Sequence, residues 1–325
     1  MKKIMRRLLT NPTSLLGILL LLGFVLIAIF APVIAPVPER SRDAYMIPRD
    51  GFSTTPQPPD EEHRFGTTEG QYDIFYGVVW GTRTAFRIGV VITIFTLSIG
   101  LVVGTISGFF MGWVDETLMR ITEIFMAFPF LLAAITMSSV LQTVYGRAEA
   151  GPIVGIAKLL ALVTFGHNPA EQVDPIQLQI LTGMSAIIIF GWMTYARVIR
   201  GNILALRELE YVQAARAIGS SNLRIMTRHL LPNAIFPVLV IASMNIGAYV
   251  LIFAALSFLG LGAQRGYADW GQMINFARNW IPSLSTHWYI VVFPGVAIVL
   301  FVLAWNLVGD ALRDILDPRL TGSRA

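Results

Sequence analysis

Residues 208–232, read ELEYVQAARAIGSSNLRIMTRHLLP, form a charged island in the second half of an otherwise apolar chain. Leu209, Val212, Ala215 and Ile218 recur at three-residue spacing, which predicts a short amphipathic helix ending at Gly219, where a residue without a Cβ turns most easily. A second helix follows. Ser220, Ser221 or Asn222 caps it, Leu223, Met226 and Leu230 share one face, and Arg224 and Arg228 share another. Pro232 then opens a new helix, because a first turn has no use for the missing N–H. From the residues alone this is a helix–Gly–helix set between two apolar runs. A cytoplasmic linker whose basic residues only set topology would read the same way.

Working outward, the 325 residues are 55% hydrophobic and 14% charged, with a mean hydropathy of +0.65. Soluble domains carry about 25% charged residues, so this is the composition of a membrane protein. The basic residues are scattered in short loops and form no basic stripe with interleaved aromatics, which argues against nucleic acid as a partner. There are no cysteines, and His63, His167, His229 and His287 stand far apart, so neither a disulfide framework nor a metal site is expected.

The uncharged runs fall at 8–38, 88–114, 124–146, 175–196, 230–264 and 288–309, each long enough to cross a hydrocarbon core of about 30 Å. Six spans are expected in an all-α, polytopic fold. Residues 1–38 hold a basic N-terminus and a first span, too long for the apolar core of a cleaved signal peptide. Residues 39–83 are a Pro-rich, acidic connector, expected to be extended and exposed, ending in an interfacial mixture of Gly, Tyr and Trp. Residues 84–320 carry the other five spans. Between them lies a 148–174 insertion whose short apolar run, broken by Lys158, suits an interfacial or re-entrant helix. With both termini on one side, Lys2, Lys3, Arg6 and Arg7 share that side with Arg197, Arg200, Arg207 and the island, which places 208–232 in the cytoplasm.

Absences narrow the function. No Asp, Glu, Lys or Arg lies within the uncharged runs, whereas ion-coupled carriers keep ionisable groups at depth. No GxxxxGK[ST] phosphate loop is present, and neither HExxH nor GxSxG appears, so an intramembrane enzyme lacks its usual signatures. A stand-alone ion-coupled secondary transporter is the alternative that remains beside a channel-forming subunit driven from outside.

Gln213-Ala214-Ala215, Gly219 four residues later and the closing Leu231-Pro232 resemble the EAA loop of ABC importer permeases, the cytoplasmic element that docks on an ATPase subunit. Other stretches are similar to the C-type subunit of the peptide/nickel importer permeases. They are Ser257-Phe258-Leu259-Gly260-Leu261-Gly262 with Trp270-Gly271-Gln272-Met273-Ile274, then Asn306-Leu307-Val308-Gly309-Asp310 running to Arg313-Asp314 and Asp317-Pro318-Arg319, and Met119-Arg120-Ile121 through Ala127-Phe128-Pro129. The resemblance extends over residues 65–320 and implies the type I ABC importer permease fold. It also implies a B-type permease as heterodimer partner, two P-loop ATPases that bind ATP and Mg, an extracytoplasmic substrate-binding protein, and a bacterial or archaeal cytoplasmic membrane. This chain then needs no cofactor or catalytic residue of its own. Peptides, nickel chelates and oligosaccharides all remain open as cargo.

The sequence departs from the family pattern in places. Gln213 stands where the motif has Glu, and His229 where it prefers Ile; Thr68, Gln71-Tyr72, Tyr76-Gly77 and Arg265-Gly266 replace family residues on the outer face. The expected ATPase-coupling residues are Glu210, Gln213, Ala214, Ala215, Arg216, Gly219, Arg224 and Pro232. Ser243, Asn245 and Tyr249 are candidates for the translocation path, with interhelical hydrogen bonding as the competing role. Gly247, Gly260 and Gly262 are expected at close helix contacts, and Asp310, Arg313 and Asp314 in a local helix-end network.

Overall fold

The computed structural model describes residues 11–39, 41, 43–147, 152–166 and 175–316. The basic N-terminus, the Asp317-Pro318-Arg319 stretch and residues 148–151 and 167–174 of the insertion lie outside them. Helix α1 spans Pro12–Ile34, capped by Asn11, and α2 runs 37 residues from Ile74 to Phe110, capped by Asp73, whose carboxylate accepts the Tyr76 N–H at 2.7 Å. Then come α3 (Gly112–Met126), α4 (Phe130–Arg147), α5 (Pro152–Phe165), α6 (Pro175–Gly191) and α7 (Met193–Leu206). The chain continues through α8 (Glu210–Ala217), α9 (Asn222–Arg224), a π-helical turn (Ile225–Leu230), α10 (Leu231–Ala234) and α11 (Phe236–Phe258). It closes with α12 (Trp270–Phe276), a 3₁₀ turn (Ala277–Ser283) and α13 (Tyr289–Leu316).

Five of these units are long and apolar enough to cross a membrane: α1, α2, α6 with α7, α11 and α13. The sixth expected span is α3 with α4, and it is not straight. The two helices meet at 89° across Ala127-Phe128-Pro129, because a residue before proline is pushed out of the helical region. The run read as one crossing from 124 to 146 is therefore a bent pair. At 14 residues α5 is too short to cross, as expected for the insertion.

The second span starts earlier than its uncharged run. Asp73 caps α2 at Ile74, so Arg83 and Arg87 are carried on the helix ahead of the uncharged run. The connector also departs from the extended, exposed segment expected. Exposure is confined to short runs, 49–52, 54–55 and 57–62 among them, while Ile47, Pro56, His63, Thr67 and Thr68 are buried. Isolated bridges pair Met46 with Tyr267, Arg49 with Tyr72 and Thr67 with Asp73, and the Tyr76 hydroxyl donates to the Ala44 carbonyl at 2.7 Å. Trp270 explains the motif around it: packed by Phe24 and Phe301, its indole N–H donates to the Val78 carbonyl, and its neighbour Gly271 lies where a Cβ would sit 2.1 Å from the Ala254 carbonyl oxygen.

One packing device was not read from the sequence. Gly100, Gly104 and Gly108 recur every fourth residue along α2 and face α7, where added Cβ atoms would lie 2.4 Å from Tyr195 Cβ, 2.4 Å from the Ala196 carbonyl oxygen and 2.9 Å from Ile203 Cβ. Small residues at this spacing let backbones approach, the main attraction between helices in lipid. Of the three glycines expected at helix contacts, Gly247 does face α13, with a Cβ placed 3.0 Å from Val302 Cα. Gly260 instead has φ +81° with open space around it, so it serves a turn, and Gly262 packs locally on Ser257.

Candidate functional site

The 208–232 island folds as a helical hairpin on the end of the bundle. Its apolar spacing is only half used for packing: Val212 and Ala215 are fully or nearly buried, whereas Leu209 and Ile218 are exposed, Ile218 at 82%. In the second arm the buried pair is Ile225 and Leu230, and Leu223, expected on the inner face, is 67% exposed. The π turn is the reason. With i→i+5 bonding, residues five apart fall on one side, so the face read at α-helical spacing is rotated away.

Gly219 makes the turn. Its φ is +80°, its N–H donates to the Arg216 carbonyl at 2.9 Å, and Ser220 N–H reaches back to Ala215 at 3.0 Å. These are the two bonds of a Schellman cap, which wants glycine at this position. Ser221 caps the next arm through a hydrogen bond from Arg224 N–H.

Of the expected coupling residues, Glu210, Gln213, Ala214, Arg216, Arg224 and Pro232 are exposed, and Ala215 faces the bundle. Gln213 donates to the Glu208 carbonyl at 3.0 Å, a bond within its own arm. The Arg216 guanidinium lies 5.3 Å from the centre of the Phe109 ring, so it is stacked on the end of α2.

The groups that lock the hairpin to the bundle escaped sequence reading. Arg207 donates to the Phe109 carbonyl at 3.1 Å and pairs with Glu208. Asn202 donates to the Ala234 carbonyl at 3.0 Å, tying α7 to α10. Arg200 holds Asp115 on α3 through two hydrogen bonds of 2.6 Å, and Ser107 of α2 donates to the same carboxylate. Arg200 and Asp115 are 85 positions apart, and no local pattern signals such a pair.

At mid-bundle the three path candidates are engaged. Asn245 donates to the Tyr195 hydroxyl at 2.8 Å, and the Tyr249 hydroxyl donates to the Gly191 carbonyl at 3.1 Å, so both join α11 to the α6–α7 unit. Ser243 bonds back to Val240 of its own helix. Among the described residues no group of His, Asp and Glu could hold a metal ion.

The family description "binding-protein-dependent transport system inner membrane component" matches residues 100–322, and the N-terminal transmembrane domain of oligopeptide transport permease C matches residues 1–59. The chain belongs to the ABC importer permeases. Among its relatives are a dipeptide transport system permease of Alkalihalophilus pseudofirmus, 34% identical over 95% of this chain and 87% of that one. A glutathione transport system permease of Pectobacterium atrosepticum is 33% identical over 85% and 81%. A putative peptide transport system permease of Brucella abortus is 34% identical over 97% and 90%. In fold, the chain is similar to a solved chain of the MetNI methionine ABC transporter in an inward-facing conformation, with a TM-score of 0.53, 19% identity, and coverage of 75% of this permease and 98% of that chain. It is thus a multi-pass permease subunit of an importer, and such importers work with a partner permease, ATPase and substrate-binding protein.

Proposed function

We propose that this permease is the translocation subunit of a peptide importer, driven by separate ATPases that dock on its 208–232 hairpin. The observation that carries the coupling role is the division of the hairpin's apolar residues. Val212, Ala215, Ile225 and Leu230 anchor it, while Leu209, Tyr211, Ile218 and Leu223 point outward with Glu210, Gln213, Ala214 and Arg224 around them. An apolar patch ringed by polar groups on an anchored element is the form of a protein-docking surface. Arg216 of this element, and Arg207 immediately before it, reach the end of α2, so a push on the hairpin is transmitted to that 37-residue helix.

The complex completes itself with a B-type permease, two P-loop ATPases holding ATP and Mg, and an extracytoplasmic binding protein, with both termini of this chain in the cytoplasm. Peptides are the cargo class that the names of its relatives favour. Asn245 and Tyr249, with Ser243 beside them, sit where two helical units meet, and their interhelical bonds are the ones that would exchange as access alternates.

The test is ATP-driven dipeptide uptake by the complete complex in proteoliposomes, wild type against Gly219→Pro, whose ring cannot adopt φ +80°. Uptake should fall to background while ATPase subunits detach or idle. Unchanged uptake would remove the hairpin from the coupling mechanism, and uptake by the single chain under a proton gradient would make it a carrier instead.

A further inference from the structure

Between α1 and α2 lies a widely open cavity of about 390 Å³ that transport does not explain. One side is aliphatic, formed by Val25, Ala28 and Ile29 of α1; the other presents Arg83 and Arg87 of α2, one turn apart, with Phe86 between them and Tyr45 beside Arg87. Arg87 lies over the Tyr45 ring at 4.4 Å and donates to its hydroxyl at 2.6 Å, while Arg83 lies over Trp80 at 5.1 Å. These are aromatic and neutral partners. Among the described residues neither guanidinium is paired with a carboxylate, and no acidic side chain lines the cavity; Asp43 nearby accepts the Tyr45 N–H. Two adjacent cations left without an anion, beside an aliphatic wall, are complementary to a ligand with an anionic head and an apolar tail.

Depth agrees with this. α2 ends at Phe110 beside the 208–232 hairpin, and at about 1.5 Å per residue Arg87 stands roughly 35 Å from that end. The hydrocarbon core is about 30 Å thick, which puts Arg87 at the headgroup level of the opposite leaflet and Arg83 one turn further out. Trp80 and Tyr45 supply the aromatic residues typical of that level.

We propose that this cavity binds an anionic phospholipid of the leaflet opposite the 208–232 hairpin, its phosphate on Arg83 and Arg87 and an acyl chain along Val25, Ala28 and Ile29. The cavity is widely open and is sized for a headgroup, so the tails run along the neighbouring exposed face of α1, where Leu22, Leu26 and Ile29 are outward. The bound lipid then becomes a bridge between α1 and the rest of the bundle.

Native mass spectrometry of the complete complex, taken from nanodiscs of phosphatidylglycerol or of an uncharged diacyl glycolipid, tests this. Retained phosphatidylglycerol should exceed retained glycolipid, and Arg83→Gln should lower its retention about tenfold, in line with losing one charge-assisted hydrogen bond. Arg83 is the informative position because among the described residues it is held by the Trp80 ring alone, whereas Arg87 is held by the Tyr45 ring and hydroxyl and by the Phe165 ring. Arg83→Lys, which keeps the charge, should retain most of the lipid. Millimolar inorganic phosphate should not displace the lipid; if it does so completely, the site is a phosphate site and not a lipid site. Equal retention of the two lipids, or equal retention by wild type and Arg83→Gln in an assembled complex, overturns the proposal.

Discussion

Arg200 and Asp115 are joined by two parallel hydrogen bonds of 2.6 Å, and through this pair α7 grips the first turn of α3 just past the end of α2. Both groups are partly shielded, the Asp115 side chain 15% exposed and Arg200 34%. With Ser107 of α2 donating to the same carboxylate, the pair fastens the junction of α2, α3 and α7, and α7 leads into the 208–232 hairpin. Removing either partner leaves the other charge with poor solvation. Asp115→Asn and Arg200→Gln should each lower complex stability by about 1–2 kcal/mol. Thermal melts of the two singles and the double should show the double costing clearly less than the sum; strict additivity would mean the pair contributes nothing.

Ile218 and Leu223 are exposed at the tip of the hairpin, and Val212 and Ile225 are buried beneath it. Ile218→Ser with Leu223→Ser should leave the stability of the isolated permease unchanged within about 0.5 kcal/mol, as for ordinary surface changes. Recovery of ATPase subunits in a pull-down should nevertheless fall. Ile225→Ala should do the opposite, costing roughly 2–4 kcal/mol of stability through the cavity it leaves. If Ile218→Ser and Leu223→Ser leave ATPase recovery intact, the apolar tip is not the docking surface.

Gly104 has no room for a methyl group, since a Cβ there would meet the Ala196 carbonyl oxygen at 2.4 Å. That atom is backbone and cannot rotate aside. Gly104→Ala should therefore push α7 from α2, with a loss of about 1–3 kcal/mol typical of overpacking, while Gly23→Ala, at a position with open space, should be silent. Equal melting temperatures for the two variants would contradict the close crossing.

His63 connects the connector to the cap of α2: its Nδ1 is 2.9 Å from Asp73 Oδ2, and its Nε2 is 3.7 Å from Asp50. Burial works against the charged imidazole, but the Asp73 hydrogen bond and the charges of Asp73, Asp60 and Asp50 outweigh it and raise its pKa above the ordinary 6.5. A raised folded pKa means that this contribution is complete below pH 6.5 and is lost as pH rises through the folded value. Hydrogen exchange of residues 60–76, corrected for intrinsic rate, should show more protection at pH 6 than at pH 8.5. In His63→Gln that difference should vanish, and its persistence would assign the pH response to another group.

Much of this molecule was legible before any tertiary structure. A run of apolar residues reports a crossing wherever it sits, because partition into lipid depends on the segment's own composition. Gly219 foretold a turn, since it acts through its own dihedral angles, and the Schellman cap formed where glycine stood, whereas the break before Pro129 went unread inside a run taken as one crossing. The hairpin's inner face was misread at Leu223 because a π turn shifts the register only when tertiary packing selects it. The glycine row on α2 was visible as letters, but its meaning depends on which helix it meets.

The sequence by itself therefore determined the membrane class, the apolar spans, the turn at Gly219 and the family resemblance, all consequences of local composition, spacing and backbone preference. Only the tertiary structure decided that Arg200 would find Asp115, that the connector would bury His63 against Asp73, and that Arg83 and Arg87 would face a cavity beside α1. Those relations join residues tens of positions apart, and their energies exist only once the chain has brought them within hydrogen-bonding reach.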